Sequence, residues 1–252
     1  MADISVLGTG VMGAALVRAL AETGQTVVVW NRSAERARAL IGERVRAVDG
    51  VDEAVAASPL VVVNLLNYEV SRRVLATAGE NLAGRIVVQT SSGTPEDASS
   101  FDSWFSERGA VLVEAAILAY PKSIGSDESI VLYSGPEGAF VVTDPLRHAW
   151  GGRQVWVGAE ISLANGYDCS ALTFYCGAIS GFLEGTAIAL ATGVPLNEYT
   201  KLTTDLWPAV NYTTMTSTDL ISKRDYNYEE APLSSYLSGA SRPTGTHSWE
   251  PV

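Results

Sequence analysis

Lysine is nearly missing from this chain. Only Lys122, Lys201 and Lys223 occur in 252 residues, against 28 aspartates and glutamates, and the formal net charge is −11. A chain of that sign repels phosphodiester backbones and anionic headgroups, so nucleic acid and membrane are excluded as expected partners. Histidine and cysteine are equally scarce. His148 and His247 stand far from each other, and neither neighbours Cys169 or Cys176, so no zinc ligand set is expected. The two cysteines are seven residues apart in one predicted helix, too distant along its axis to bridge within it. No apolar leader is expected, since the N-terminus runs straight into a strand pattern. The expectation is a cytoplasmic protein with reduced thiols. The 47% apolar share supplies a substantial core, in one large domain or two small ones.

What is present is concentrated at the start. Ile4-Ser5-Val6-Leu7 reads as a strand, and Gly8-Thr9-Gly10-Val11-Met12-Gly13 follows with G-x-G-x-x-G spacing. An alanine- and leucine-rich helix pattern comes next, then Thr26–Trp30 as a second strand. A strand, a glycine turn, a helix and a strand form the context in which this spacing binds a dinucleotide. Gly8 permits the tight turn, Gly10 admits a pyrophosphate and Gly13 lets helix pack on strand. The pyrophosphate would rest on the N–H groups that open the helix. The second strand ends in Asn31-Arg32-Ser33, with Arg36 one turn on, where an NAD site would carry Asp or Glu. Guanidinium and hydroxyl groups suit a 2′-phosphate that a carboxylate would repel, so NADPH is the expected cofactor. The other reading of Arg32 and Arg36 is a solvated helix start, with Ser33 as its N-cap.

Strand and helix patterns alternate through the first 157 residues. Leu60–Leu66 reads as a fully apolar strand, and Ile86–Thr90, Val111–Ala115, Ser129–Tyr133 and Gln154–Val157 as others. Thr94-Pro95-Glu96-Asp97 reads as a capped helix start. The fold class is α/β: a Rossmann-type doubly wound sheet over residues 1–157, then a long interdomain helix and a short all-helical region over residues 158–252. From Ser162 to Thr192 only Asp168 and Glu184 are charged. A helix this apolar must be buried, and a second copy of the chain is expected to cover it, as a homodimer. Asn165, Asp168, Ser170 and Ser180 within it argue against a membrane span. Gly177, Gly181 and Gly185 leave one face small enough for another helix to approach. After Leu196 the pattern is helical to about Leu237, and the polar tail through Val252 has no periodicity.

These segments resemble the imine reductase and reductive aminase family, within the wider β-hydroxyacid dehydrogenase group. The likeness is carried by the Gly8–Gly13 turn, Trp30–Ser33, Gln89–Pro95, Ile124-Gly125, Ser134–Pro136, Gly158–Glu160, Tyr167-Asp168 and Gly181–Leu183. It covers residue 4 to about 237. The resemblance implies NADPH-dependent reduction of an imine, or of a ketone and amine pair. The family continues past the point near Gly239 where the match fades, with helices that complete a swapped dimer. A chain without them is expected to have a more open cleft and a weaker dimer.

The hydroxyacid dehydrogenases carry a catalytic lysine early in the long helix. Tyr167-Asp168 fills that place here, and no lysine lies between Lys122 and Lys201. An alkoxide needs a proton donor, whereas an imine can arrive as an iminium and needs an anion to hold it. Asp168 is the expected anion, its other reading being a helix-start carboxylate. Eight residues on, where the family carries Asp or Tyr as proton donor, stands Cys176, preceded by Tyr175. Either could donate, since both are ordinarily protonated at neutral pH, and either could be plain packing. Leu65, Leu66 and Asn67 are expected to border ribose and nicotinamide, with Thr90 and Ser91 at the next strand end. Ser92 stands where reductive aminases tend to have Asn. Tyr120, Tyr167, Trp207 and Tyr212 are candidate substrate contacts. The alternatives are a β-hydroxyacid dehydrogenase-like enzyme and a catalytically weak NADP(H)-binding sensor or scaffold.

Overall fold

A computed structural model describes residues 2–225. It opens with β1 (Ile4–Leu7), α1 (Val11–Glu22), β2 (Val27–Trp30), α2 (Ala34–Arg38), β3 (Val45–Ala47), α3 (Val51–Ala56), β4 (Leu60–Val63) and α4 (Tyr68–Leu75). There follow β5 (Ile86–Gln89), α5 (Pro95–Ser106), β6 (Val111–Ile117), β7 (Ile130–Ser134), α6 (Glu137–Val142), α7 (Asp144–Trp150) and β8 (Arg153–Gly158). The last elements are α8 (Leu163–Thr192), α9 (Leu196–Asp205) and α10 (Trp207–Lys223). The expected helix out to Leu237, the polar stretch 239–246 and His247 lie wholly or partly outside the described residues.

The eight strands form one sheet in the order β3-β2-β1-β4-β5-β6-β7-β8. Pairing is parallel from β3 through β6, β7 runs antiparallel to β6, and β8 is parallel to β7. The strand order reverses between β1 and β4, and ligands of such sheets bind outside the carboxyl ends there. β1 and β4 are buried along their whole length, as expected of strands covered on both faces. β3 escaped the sequence reading because its three residues include exposed Arg46 and make no apolar run. The strand Leu60–Leu66 is shorter than expected: β4 stops at Val63, so Leu65, Leu66 and Asn67 belong to the loop beyond it.

Two apolar clusters hold the helices to the sheet. Leu16, Val17 and Leu20 of α1 and Leu146 and Trp150 of α7 join Val6, Val29, Val62 and Tyr133 on one face. Leu75 of α4 and Phe101 and Phe105 of α5 join Leu7, Val61, Val63, Val87 and Leu112 on the other. Each such fully buried side chain contributes about 1.5–3 kcal/mol. The capping box at Thr94 is present: its hydroxyl accepts from Asp97 N at 3.2 Å, and Asp97 Oδ2 accepts from Thr94 N at 2.9 Å.

The chain divides into two compact units, Met1–Thr173 and Phe174–Val252, with the boundary inside α8. α8 has 30 residues, about 45 Å of helix. It is long and apolar enough to cross a membrane by length and composition alone. Its first turns are nevertheless pinned to the sheet, with Ala164 and Asn165 buried. In the second unit, Gly193 takes φ +76° after α8, and α9 folds back so that the Tyr199 ring stacks on Phe182 at 5.4 Å. A Cβ at Gly185 would fall 2.0 Å from Tyr199 Oη, so that glycine admits the chain's own α9. Gly177 and Gly181 face open space, and Leu172, Phe174, Ile179, Leu183 and Leu190 along α8 are exposed.

Candidate active site

The glycine turn is built as its spacing requires. Gly8 has φ +101°, and a Cβ there would meet Asn64 O at 2.1 Å. A Cβ at Gly13 would meet Gly8 O at 2.1 Å, so α1 leaves β1 in direct backbone contact. A Cβ at Gly10 would meet nothing within 4 Å. Gly10 is the N-cap of α1 and offers no side-chain acceptor, so the first helical N–H groups face outward beside Val11, which is 80% exposed. Met12 packs against the core. Thr9 is 4% exposed, and among the described residues its Oγ1 has no hydrogen-bond partner. Open space, free N–H groups and an orphaned hydroxyl fit a pyrophosphate.

Asn31 braces this turn. Its Oδ1 accepts from Thr9 N at 3.0 Å, and its Nδ2 donates to Ser33 O at 3.0 Å. Asn31 therefore shapes the loop and need not touch a phosphate. Ser33 occupies the N-cap position of α2 as expected, yet its side chain makes no capping bond. Arg32 and Arg36 are exposed. Among the described residues neither joins an ion pair, whereas Arg38 is taken by Asp49 at 2.9 Å. Two unengaged guanidiniums beside a free hydroxyl are the donor set a 2′-phosphate needs.

The loops after β4 and β5 are stitched together. Asn64 Nδ2 donates to Thr90 Oγ1 at 2.8 Å, Thr90 Oγ1 donates to Val63 O at 3.0 Å, and Leu65 N donates to Ser91 Oγ at 3.1 Å. Thr90 and Ser91 thus position the rim of the cleft. Leu66 is 82% exposed. Asn67 is a helix cap before anything else, its Oδ1 accepting from Val70 N at 2.9 Å.

Beyond that rim lies a cavity of ≈ 30 Å³ whose lining includes Ser91, Ser92, Glu114, Asn165 and Asp168. Burial raises the pKa of the Asp168 carboxyl. Sequence reasoning missed the group beneath it. Glu114, on β6, is 2% exposed. Tyr68 donates to its Oε2 at 2.7 Å, and Asn165 Nδ2 donates to the Tyr68 hydroxyl at 2.8 Å and to Gly93 O at 3.1 Å. Among the described residues Glu114 Oε1 has no hydrogen-bond partner. Burial, and then the Asp102 and Asp97 charges, outweigh the Tyr68 bond and push its pKa up to about 8. Burial and Glu114 hold the Tyr68 phenol well above its ordinary range. The signal was present: Glu114 is an acid inside Val-Leu-Val-Glu-Ala-Ala-Ile, where a covered strand should be apolar.

The structure brings Asp168, Ser91 and Ser92 together at one cavity. Tyr120 and Tyr167 are exposed. Tyr175, Cys176, Trp207 and Tyr212 belong to the second unit and are exposed there, and both cysteines are free. Among the described residues no group of three or more His, Cys, Asp or Glu could hold a metal.

The model of the NAD binding domain of 6-phosphogluconate dehydrogenase matches residues 3–158. An NADPH-dependent reductive aminase of Aspergillus oryzae is 29% identical over 185 residues, 73% of this chain and 63% of that protein. The chain thus matches less than two thirds of that relative's length. The structure of an imine reductase from Pseudomonas sp. superposes with a TM-score of 0.89 at 30% identity, covering 96% of this chain and 85% of that one. A reductive aminase from Aspergillus terreus, in complex with NADPH and ethyl-5-oxohexanoate, superposes with a TM-score of 0.88 at 28% identity, covering 98% and 88%. Sheet, glycine turn and long helix together make this chain a member of the 6-phosphogluconate dehydrogenase NAD-binding family and, within it, of the imine reductases and reductive aminases.

Proposed function

We propose that this chain binds NADPH and reduces a C=N bond, converting a small imine or iminium to an amine. The observation that carries the reading is the Asp168 carboxyl, set in a polar cavity where a hydroxyacid dehydrogenase would need a lysine. Bound NADPH supplies the electron pair and hydrogen for the new C–H bond. The N–H groups that open α1 hold the pyrophosphate, and Arg32, Ser33 and Arg36 hold the 2′-phosphate. Leu65, Leu66 and Ser91 border the reacting end. Asp168, ionised, holds an iminium nitrogen and orients its carbon. Ser92, Tyr120 and Tyr167 are the proposed substrate contacts on the first unit, and Tyr175 and Cys176, further along α8, are alternative proton donors. The substrate is an imine, or a ketone and amine pair. A second copy covers the exposed apolar face of α8, and two free cysteines suit a reducing cytoplasmic setting.

The test is NADPH consumption by the purified chain with a cyclic imine, beside a 3-hydroxyacid with NADP⁺. Imine turnover alone is the expected result. Turnover of the hydroxyacid alone would sink the reading, and cofactor binding with neither reaction would favour a sensor or scaffold.

A further inference from the structure

Glu114 is a buried acid that neither cofactor binding nor iminium holding uses. It sits at the floor of the cavity that also reaches Asp168, Ser91 and Ser92. One carboxyl oxygen is committed, because Oε2 accepts the Tyr68 hydroxyl. The other, Oε1, is buried and has no partner among the described residues. An ionised carboxylate with a naked oxygen in such a place is costly, whereas a proton on Oε1 removes the charge and supplies a donor. The charged and titratable groups around it are Tyr68 on α4, Asp97 and Asp102 on α5, and Asp168 on α8. The Asp102 and Asp97 charges disfavour a further negative charge. The cavity has room for about two waters, each needing about 10–15 Å³ of such space.

We propose that Glu114 is the proton store of this site: its Oε1 holds the proton that crosses the cavity to Asp168 and ends on the nitrogen of the bound imine. This rests on imine reduction being the reaction. The Oε1–H bond of Glu114 breaks as an O–H bond forms on the Asp168 carboxylate through cavity water. That O–H bond then breaks as N–H forms and the C=N π bond opens, the second hydrogen and the electron pair coming from NADPH. The Glu114 carboxylate, held by the Tyr68 hydroxyl, regains a proton from solvent. Glu114 thus acts through Asp168 and is a positioning residue, not one that touches substrate.

The experiment compares the native chain with Glu114→Gln on two substrates, a neutral cyclic imine and an N-alkylated, permanently charged iminium that needs no proton. The variant keeps an acceptor for Tyr68 and loses the acid. Imine reduction should fall about tenfold or more. Iminium reduction should hold, and the alkaline fall of the imine rate near pH about 8 should vanish. Equal rates on both substrates would overturn the proposal and leave the proton to the groups α8 carries. Equal losses on both would also overturn it, by showing a structural role. Infrared titration of the free native protein gives a readout independent of turnover and of the variant's folding. A carboxylic acid band lost near pH about 8 is expected. A carboxylate already ionised at neutral pH would contradict the proposal. Failure of the native chain to reduce either substrate would defeat imine reduction itself, and the proposal with it.

Discussion

Asn165 Nδ2 reaches the Tyr68 hydroxyl at 2.8 Å across 97 residues of sequence, tying the first turns of α8 to the start of α4. The same amide also donates to Gly93 O at 3.1 Å and Thr94 O at 3.2 Å. One side chain therefore fixes where the Asp168 turn sits against the sheet. Asn165→Ala leaves the buried Tyr68 hydroxyl without its donor and removes one donor each from the Gly93 and Thr94 carbonyls, and should cost about 1–3 kcal/mol in urea unfolding. A loss under about 0.5 kcal/mol would mean that packing of Ala164 alone seats the helix.

Glu114 should make stability depend on pH. Its pKa is about 8 in the fold against 4.5 ordinarily, so between those values the folded chain keeps a proton that the unfolded chain has lost. Stability therefore falls as pH rises through that window, by on the order of 1.4 kcal/mol per unit. Unfolding free energies of native and Glu114→Gln proteins at pH 5 and pH 7.5 give the difference. The native chain should lose ground to the variant as pH rises, and parallel curves would show that Glu114 is ionised throughout.

Gly10 and Gly13 should separate binding from folding. Gly13→Ala drives a methyl to 2.1 Å from Gly8 O, and the backbone shift should cost about 1–3 kcal/mol. Gly10→Ala meets open space, so its loss should stay under about 1 kcal/mol while NADPH affinity drops. Thermal melts beside fluorescence titration of NADPH decide it. Unchanged affinity in Gly10→Ala would remove the pyrophosphate from that position.

The first 36 residues told most of what could be read without coordinates. Their chemistry is local, because the turn, the cap and the strand end are adjacent in sequence. The capped helix start at Thr94 and the span of α8 were legible for the same reason. Glu114 was visible as an anomaly in β6 but not as a site, because Tyr68 and Asn165 lie 46 and 51 positions away, and only the fold joins them. Asn31 and Asn67 read as ligands in sequence, and each also accepts a backbone N–H, from Thr9 and from Val70, which only the fold shows. β3 was missed for want of an apolar run.

Arg32 and Arg36 should decide between the two nicotinamide cofactors. A charge-assisted bond to a phosphate contributes about 1.5–3 kcal/mol. Arg32→Ala should therefore weaken NADPH roughly tenfold to a hundredfold and leave NADH nearly unchanged. Equal weakening of both, measured by fluorescence titration, would place the 2′-phosphate elsewhere.

The most direct test of imine reduction follows the hydrogen. The chain is incubated with NADPH carrying deuterium at the reactive nicotinamide carbon and with a cyclic imine, and the product is analysed by mass spectrometry and NMR. One deuterium at the former imine carbon is expected, and Asp168→Ala should cut its formation while leaving NADPH affinity intact. Recovery of the imine unchanged, or of amine without deuterium at that carbon, would contradict the account.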